Sequence, residues 1–145
     1  MDHYTANNFM LTESIGFMLT KARNVVTAQL DAALKDLDIA SQQIGILLSI
    51  QRGVAATPFE LSKLLGIDTG LMTRMLDKLE AKELLGRSRS ANDRRVINLT
   101  LTENGEAVAA RIPEIAPQIL NARLRKFTKF EFAELCRLLR KFNSD

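Results

Sequence analysis

The 145 residues include no tryptophan, one tyrosine, one histidine, one cysteine and three prolines. Each scarcity excludes something. The single cysteine, Cys136, forbids an intramolecular disulfide and fits a reducing compartment. The only histidine, His3, lies in a polar leader at the opposite end of the chain. Neither a Cys-His nucleophile nor a zinc site of histidines and thiolates is therefore expected. The seven glycines are scattered, with no phosphate-cradling run. Asp77 and Glu80 read as the solvated face of a helix, so catalysis, cofactors and metals are not expected. The apolar cluster Ile44 to Ile50 is far too short to span a bilayer. Met1 to Thr5 lack the basic and apolar regions of a signal peptide, and Asp2 stands where myristoylation needs a glycine. The sequence predicts a soluble, cytoplasmic protein with no membrane partner.

What is present supports one domain, or one with helical extensions. A hydrophobic content of 46% is ample for a core without staples. The formal charge of +3 and a pI near 9.2 permit an acidic partner without demanding one.

The stretch from Thr57 to Thr102 organises the chain. Thr57 is placed to cap a helix, Pro58 suits its first position, and Glu60 can close a capping box. Leu61, Leu64 and Leu65 mark one face, and Gly66 offers the left-handed turn that ends it. Asp68 then caps a second helix, with Ile67 and Met72 spaced as a hydrophobic staple. Met72, Met75, Leu76 and Leu79 recur at helical spacing as its buried face. Thr69, Gly70, Thr73, Arg74, Asp77 and Lys78 fall elsewhere on its surface. Two helices joined so tightly cross steeply, which projects the start of the second outward. Gly70 costs helix stability there, as it would where something bulky approaches the backbone. Alone, these residues fit an ordinary helical hairpin equally well.

Leu84 to Arg89, turn-like Ser90-Ala91-Asn92-Asp93, and Arg94 to Leu101 with Ile97, Leu99 and Leu101 alternating read as a β-hairpin. Arg87, Arg89, Arg94 and Arg95 crowd its strands and tip against Asp93 alone. Guanidinium groups so placed suit phosphates and a narrow minor groove, although basic hairpins also serve as solvated edges. Behind a helix-turn-helix, the first use is favoured.

Around this segment the residues Ile15, Leu19, Ala22, Val26, Leu30, Ala33 and Leu37 share one helical stripe, with Met18 and Val25 on a second. Two stripes need neighbours on two sides, either across a subunit interface or within the protein's own core. The leader through Asn8 is expected to be loosely held. Ser41 is expected to cap a helix carrying Ile44, Leu47 and Leu48. Gly53 to Ala56 is expected as a third short strand. Thr102 caps a helix that Pro113 and Pro117 should bend or break. Thr128 and Glu131 form a capping box for the last helix, with Phe127 and Phe132 as a staple and Phe132, Leu135, Leu139 and Phe142 continuing the stripe. Ile15, Leu19 and these last four residues are the candidate dimerisation face.

The run Asp93-Arg94-Arg95-Val96-Ile97-Asn98-Leu99-Thr100-Leu101-Thr102 resembles the D-x-R-x-x-x-L-x-L-T wing signature of the MarR (multiple antibiotic resistance regulator) transcription factors, and Glu103-Asn104-Gly105 fits the usual continuation. Element order extends the likeness from about Thr12 to the C-terminus. The resemblance implies a homodimeric, ligand-responsive regulator, usually a repressor, with recognition helices in successive major grooves and wings in flanking minor grooves. It makes Arg95 the minor-groove arginine held by Asp93, and puts Thr69, Gly70, Leu71, Thr73 and Arg74 on the major-groove side. Gly70 and Leu71 depart from the small hydroxyl residues common in relatives. The resemblance also implies a small aromatic anion as effector, with Met18, Lys21, Arg23 and Arg52 as candidate contacts.

Cys136 shares the stripe of Leu135 and Leu139, which reads first as a small buried hydrophobe. The sharper alternative is an oxidant sensor near the dimer axis with Arg137 and Arg140 beside it. The expected fold is mainly α with a small β wing: an N-terminal arm and dimerisation helix over 1–38, a winged helix-turn-helix over 39–101, and C-terminal dimerisation helices over 102–145. The expected function is a regulator binding double-stranded DNA as a homodimer through Thr69, Gly70, Leu71, Thr73, Arg74, Lys78 and the wing residues Arg87, Arg89, Asp93, Arg94 and Arg95. The competing reading is a dimeric helical adaptor whose basic hairpin binds an acidic protein.

Overall fold

The computed structural model describes all 145 residues. Six helices and one hairpin run in the order α1 (Ile15–Ala33), α2 (Ser41–Gln51), α3 (Pro58–Leu65), α4 (Thr69–Ala81), β1 (Leu85–Arg89), β2 (Ile97–Leu101), α5 (Glu103–Leu124) and α6 (Lys129–Asn143). Short 3-10 turns over Leu11–Glu13 and Lys35–Leu37 flank α1.

Local chemistry sets most boundaries. Each cap satisfies an amide that lacks a partner in the first turn. Thr57 Oγ1 accepts from the Glu60 amide at 3.1 Å, Asp68 Oδ1 from Leu71 at 3.0 Å, and Thr102 Oγ1 from Gly105 at 3.0 Å. The capping box at α6 is reciprocal, because the Thr128 amide also donates to Glu131 Oε2 at 2.9 Å. At α3 the box closes differently, the Thr57 hydroxyl donating to Glu60 Oε1 at 3.0 Å. Gly66 takes the left-handed conformation at φ +64° and ends α3.

A single core of 16 buried hydrophobic residues joins these elements. Met72, Met75, Leu76 and Leu79 enter it from α4, Leu61 from α3, Ile46 and Leu47 from α2, and Leu30 and Leu34 from α1 and the residue after it. Ala109 and Ile112 close it from α5. Burial of each of the large side chains contributes about 1.5–3 kcal/mol. The antiparallel hairpin pairs Leu85 with Leu101, Arg87 with Leu99 and Arg89 with Ile97. Two strands alone are marginal; Leu85 and Leu99, both buried, fasten this pair to the helices.

Four local expectations are corrected. Gly53 to Ala56 form no strand. Gly53 turns left-handed at φ +69°, and the amides of Val54 and Ala55 fold back on the Ser49 carbonyl at 3.0 and 3.4 Å, so a strand's donors are already used. One ladder-like bond remains, from the Leu99 amide to the Ala56 carbonyl at 2.8 Å. Ser41 is the first helical residue of α2 rather than its cap. Its amide donates to Asp31 Oδ1 of α1 at 2.6 Å, while the Ala40 amide donates to the Gln43 side chain at 3.0 Å. Of the expected bend or break at Pro113 and Pro117, the break does not occur, since α5 is continuous through both. Both prolines sit four apart on the exposed side, and Ile112, Ile115 and Ile119 pack opposite them against the core. The leader is also tied down. Thr5 and Asn8 exchange side-chain bonds to each other's amides, and the Tyr4 hydroxyl accepts from the Ile15 amide at 2.9 Å at the start of α1.

Candidate nucleic-acid interface

With Met72, Met75, Leu76 and Leu79 turned inward, α4 presents Thr69, Gly70, Thr73, Arg74 and Lys78 to solvent. Leu71 is half-buried and packs against the core, so only part of it faces out. The Thr73 hydroxyl donates to the Thr69 carbonyl at 2.9 Å, leaving its oxygen lone pairs outward. A Cβ on Gly70 would meet only the cap oxygen of Asp68 at 3.3 Å and the Arg74 guanidinium at 3.7 Å. A side chain here would press the Asp68 cap oxygen by a few tenths of an ångström, so glycine spares the cap as well as leaving the outer side of the helix clear.

The four wing arginines divide by partner. Arg87 donates to Asp77 at 2.9 Å and lies 3.6 Å from Glu80, both on α4. These two carboxylates are therefore ion-pair partners rather than a merely solvated face. Arg89 crosses the hairpin to the Arg94 carbonyl at 2.7 Å. Arg95 makes two bonds to the Asp93 carboxylate, each 3.1 Å, and its amide adds a third at 3.0 Å. The Arg95 hydrogen bonds hold the Asp93 carboxyl below its usual range. Even so, the Arg95 side chain is 90% exposed, so Asp93 aims it without hiding it. Arg94 alone has a guanidinium with no hydrogen bond or ion pair.

Of the candidate dimerisation residues, Ile15, Leu19, Leu135, Leu139 and Phe142 converge, while Phe132 is exposed outside the hollow they line. Ile15, Met18, Leu19 and Ala22 of α1 and Leu135, Leu138, Leu139 and Phe142 of α6 line an apolar hollow of about 690 Å³. Helix α6 buries none of its residues within the chain.

The effector candidates do not converge. Met18 faces the α1–α6 hollow, Lys21 lies on a different face of α1 beside Phe17 and Asn24, and Arg52 is exposed at the end of α2. At 100° per residue, positions 18, 21 and 23 point in different directions around one helix. Arg23 alone of the four lines a cavity of about 480 Å³ between α1 and the α3–α4 turn, with Thr27, Gln42, Leu65, Leu71 and Met75. Cys136 is half-buried, and its neighbour Arg137 is committed to Glu134 at 2.6 and 2.8 Å.

Sequence reasoning missed Lys82, whose ammonium donates to the Asp38 carbonyl at 2.6 Å and ties the end of α4 to the α1–α2 linker. No sequence signal marked it, since Asp38 accepts through its backbone. The role of Arg87 was readable. Period-two alternation puts it on the same strand face as buried Leu85, toward α4.

A tight helix pair with an outward polar face, flanked by an arginine-tipped hairpin on a shared core, defines a winged helix-turn-helix chain. The MarR family model matches residues 39–97. The chain is 38% identical over 113 residues to the multiple antibiotic resistance protein MarR of Escherichia coli K12, covering 77% of this chain and 78% of that one. It belongs to the MarR family. Among solved structures it resembles a cysteine-to-serine mutant of E. coli MarR complexed with operator DNA, with a TM-score of 0.84, 31% identity, and coverage of 94% of this chain and 100% of that one. It also resembles Bordetella bronchiseptica BpsR, whose DNA binding is regulated by 6-hydroxynicotinic acid, with a TM-score of 0.83, 25% identity, and coverage of 94% and 99%. No helix is long and apolar enough to cross a membrane.

Proposed function

We propose that the protein is a homodimeric, ligand-responsive transcriptional regulator that binds a pseudo-palindromic DNA site, acts as a repressor in the cytoplasm, and catalyses nothing. The observation that carries this reading is the pairing of an exposed polar face on α4 with two solvent-facing arginines at the wing tip. It occurs on a backbone that matches E. coli MarR complexed with operator DNA.

Residues 39–101 would supply the reading head, with 1–38 and 102–145 bringing two copies together. Thr69, Gly70, Thr73, Arg74 and Lys78 would face the major groove, with Arg94 and Arg95 in the flanking minor groove. Two-fold symmetry then sets half-sites about one helical turn, roughly 10 bp, apart. An acidic protein partner would not require an outward recognition helix beside the arginines, so the adaptor reading is set aside.

The cavity bounded by Arg23, Leu71 and Met75 is the better effector candidate than the four dispersed residues. It sets the Arg23 guanidinium beside the apolar side chains of Leu30, Leu65, Ile67, Leu71 and Met75, with Thr27, Ser41, Gln42 and the Asp68 carboxylate completing its lining, so an anion would pair with Arg23 on the side away from Asp68; it touches both α1 and the face of α4 opposite its reading side. A ligand there would weaken DNA binding by its differential affinity for two spacings of the recognition helices.

The test is selection of bound sequences from a random duplex pool at near-physiological salt. Enrichment of an inverted repeat is the expected result. No enrichment from an intact dimer would overturn the reading in favour of an acidic protein partner.

A further inference from the structure

We propose that Arg87 is a positioning residue: paired with Asp77 and Glu80, it fixes the wing relative to the recognition helix and makes no phosphate contact itself. The proposal rests on the DNA-binding reading above for its consequence, and on the ion-pair geometry for its substance.

Three observations carry it. Arg87 reaches across from β1 to two carboxylates one helical turn apart on α4, at 2.9 and 3.6 Å. One guanidinium against two carboxylates leaves this triad net negative, so a phosphate brought to Arg87 would meet repulsion. The Arg87 side chain is also only 27% exposed, whereas Arg95 at the tip is 90% exposed. The same hairpin thus carries arginines with opposite duties. Strand alternation turns Arg87 inward beside Leu85, and its register partner Leu99 is buried in the core, so the middle of the hairpin is anchored.

An anchor is needed here because the sheet has only two strands and no third strand beside it. Leu85 and Leu99 fix the base of the wing to the core. Arg87 adds a directional tie one step further out, where α4 runs alongside. A guanidinium held by two carboxylates resists rotation of the hairpin about its base in a way that a single apolar contact does not. What it fixes is the distance between the outward face of α4 and the tip arginines, and so the spacing at which one protomer can meet major and minor groove together.

The experiment compares wild type, Arg87→Ala, and the neutralised pair Asp77→Asn with Glu80→Gln on the inverted repeat recovered by selection and on a random duplex of equal length. Arg87→Ala should weaken binding to the repeat by about tenfold. Its log affinity against log salt should keep the wild-type slope, because no counterion-releasing contact is lost. The neutralised pair should weaken binding to the repeat in the same sense, although it removes two negative charges near DNA. The opposite pattern would overturn the proposal: a slope reduced by about one in Arg87→Ala, with tighter binding by the neutralised pair, makes Arg87 a phosphate ligand.

Residual dipolar couplings of α4 and wing amides, measured on the DNA-free protein, decide the geometric part separately. Wild type should fit one rigid frame and Arg87→Ala two. A single unchanged frame in Arg87→Ala refutes the tie whether or not any duplex binds, whereas failure of wild type to bind every duplex refutes only the DNA-binding reading.

Discussion

Leu76 in α4 and Leu139 in α6 are the same residue type on equally regular amphipathic helices, yet Leu76 is 1% exposed and Leu139 is 37% exposed. The helix-turn-helix finds its neighbours within one chain, from Leu30 of α1 to Ile112 of α5. Helix α6 finds none that bury a residue, and with the first half of α1 it leaves Ile15, Met18, Phe132, Leu135, Leu138 and Phe142 exposed. Periodicity therefore tells which face of a helix is buried, and leaves open which chain buries it. Exposed apolar surface on this scale suits an association site, and in the proposed homodimer a second copy would supply the same two helices by symmetry.

The contrast can be broken most forcefully in the lobe. Leu76→Ala should cost about 2–5 kcal/mol, because a cavity remains where the side chain was fully packed. Urea denaturation at fixed protomer concentration measures this, and a loss below 1 kcal/mol would mean that the core is looser than its burial indicates. Placing aspartates in the arm, Leu135→Asp with Leu139→Asp, should raise the dimer dissociation constant by about a hundredfold, as expected when central apolar anchors are lost. Sedimentation equilibrium would read that change, while amide shifts of α2 to β2 stay at their wild-type positions. Shifts lost throughout the lobe would show instead that the two regions are not separable.

A smaller effect sharpens the same line. Thr128→Ala removes the cap of α6 and should destabilise that helix by about 1 kcal/mol. Hydrogen exchange should report faster opening in the first turn of α6 and none in α4. The smallest effect is in the wing. The Asp93 carboxyl titrates below its usual range because Arg95 binds its charged form. Its contribution to wing order is accordingly complete above the ordinary aspartate range and lost as pH falls through that range to the lowered folded value. The carboxyl carbon shift of Asp93, followed by acid titration, should move at lower pH in wild type than in an Arg95→Ala variant, which lacks the hydrogen bonds to its charged form.

The helix-turn-helix was legible because its signals are local. Thr57-Pro58, Gly66, Asp68 and the spacing of Met72 to Leu79 each state a cap, a stop or a face within a few residues. The capping box at Thr128 and the alternation of Ile97, Leu99 and Leu101 were legible for the same reason. What escaped depends on distant partners. Asp31, ten residues away, accepts the Ser41 amide and so holds Ser41 as the first helical residue of α2 rather than its cap. Ser49 consumes the donors that would have made Gly53 to Ala56 a strand. Packing along one face keeps α5 continuous through two prolines. In the candidate site, composition displays four wing arginines as equals; strand alternation sets Arg87 on the face of Leu85, and the fold supplies the Asp77 and Glu80 partners that separate it from Arg94 and Arg95 at the tip. Of the four effector candidates implied by the resemblance, the three on α1 lie at different helical phases, which points them apart.

The most direct test of the account is the mass, by native mass spectrometry, of the complex formed with the selected inverted repeat, for wild type and for the Leu135→Asp, Leu139→Asp variant. Two copies per duplex for wild type, and a single weakly held copy for the variant, is the predicted result: a lobe complete in one chain and an arm complete only in two. One copy of wild type per repeat, or two copies of the variant held as tightly as wild type, would contradict it.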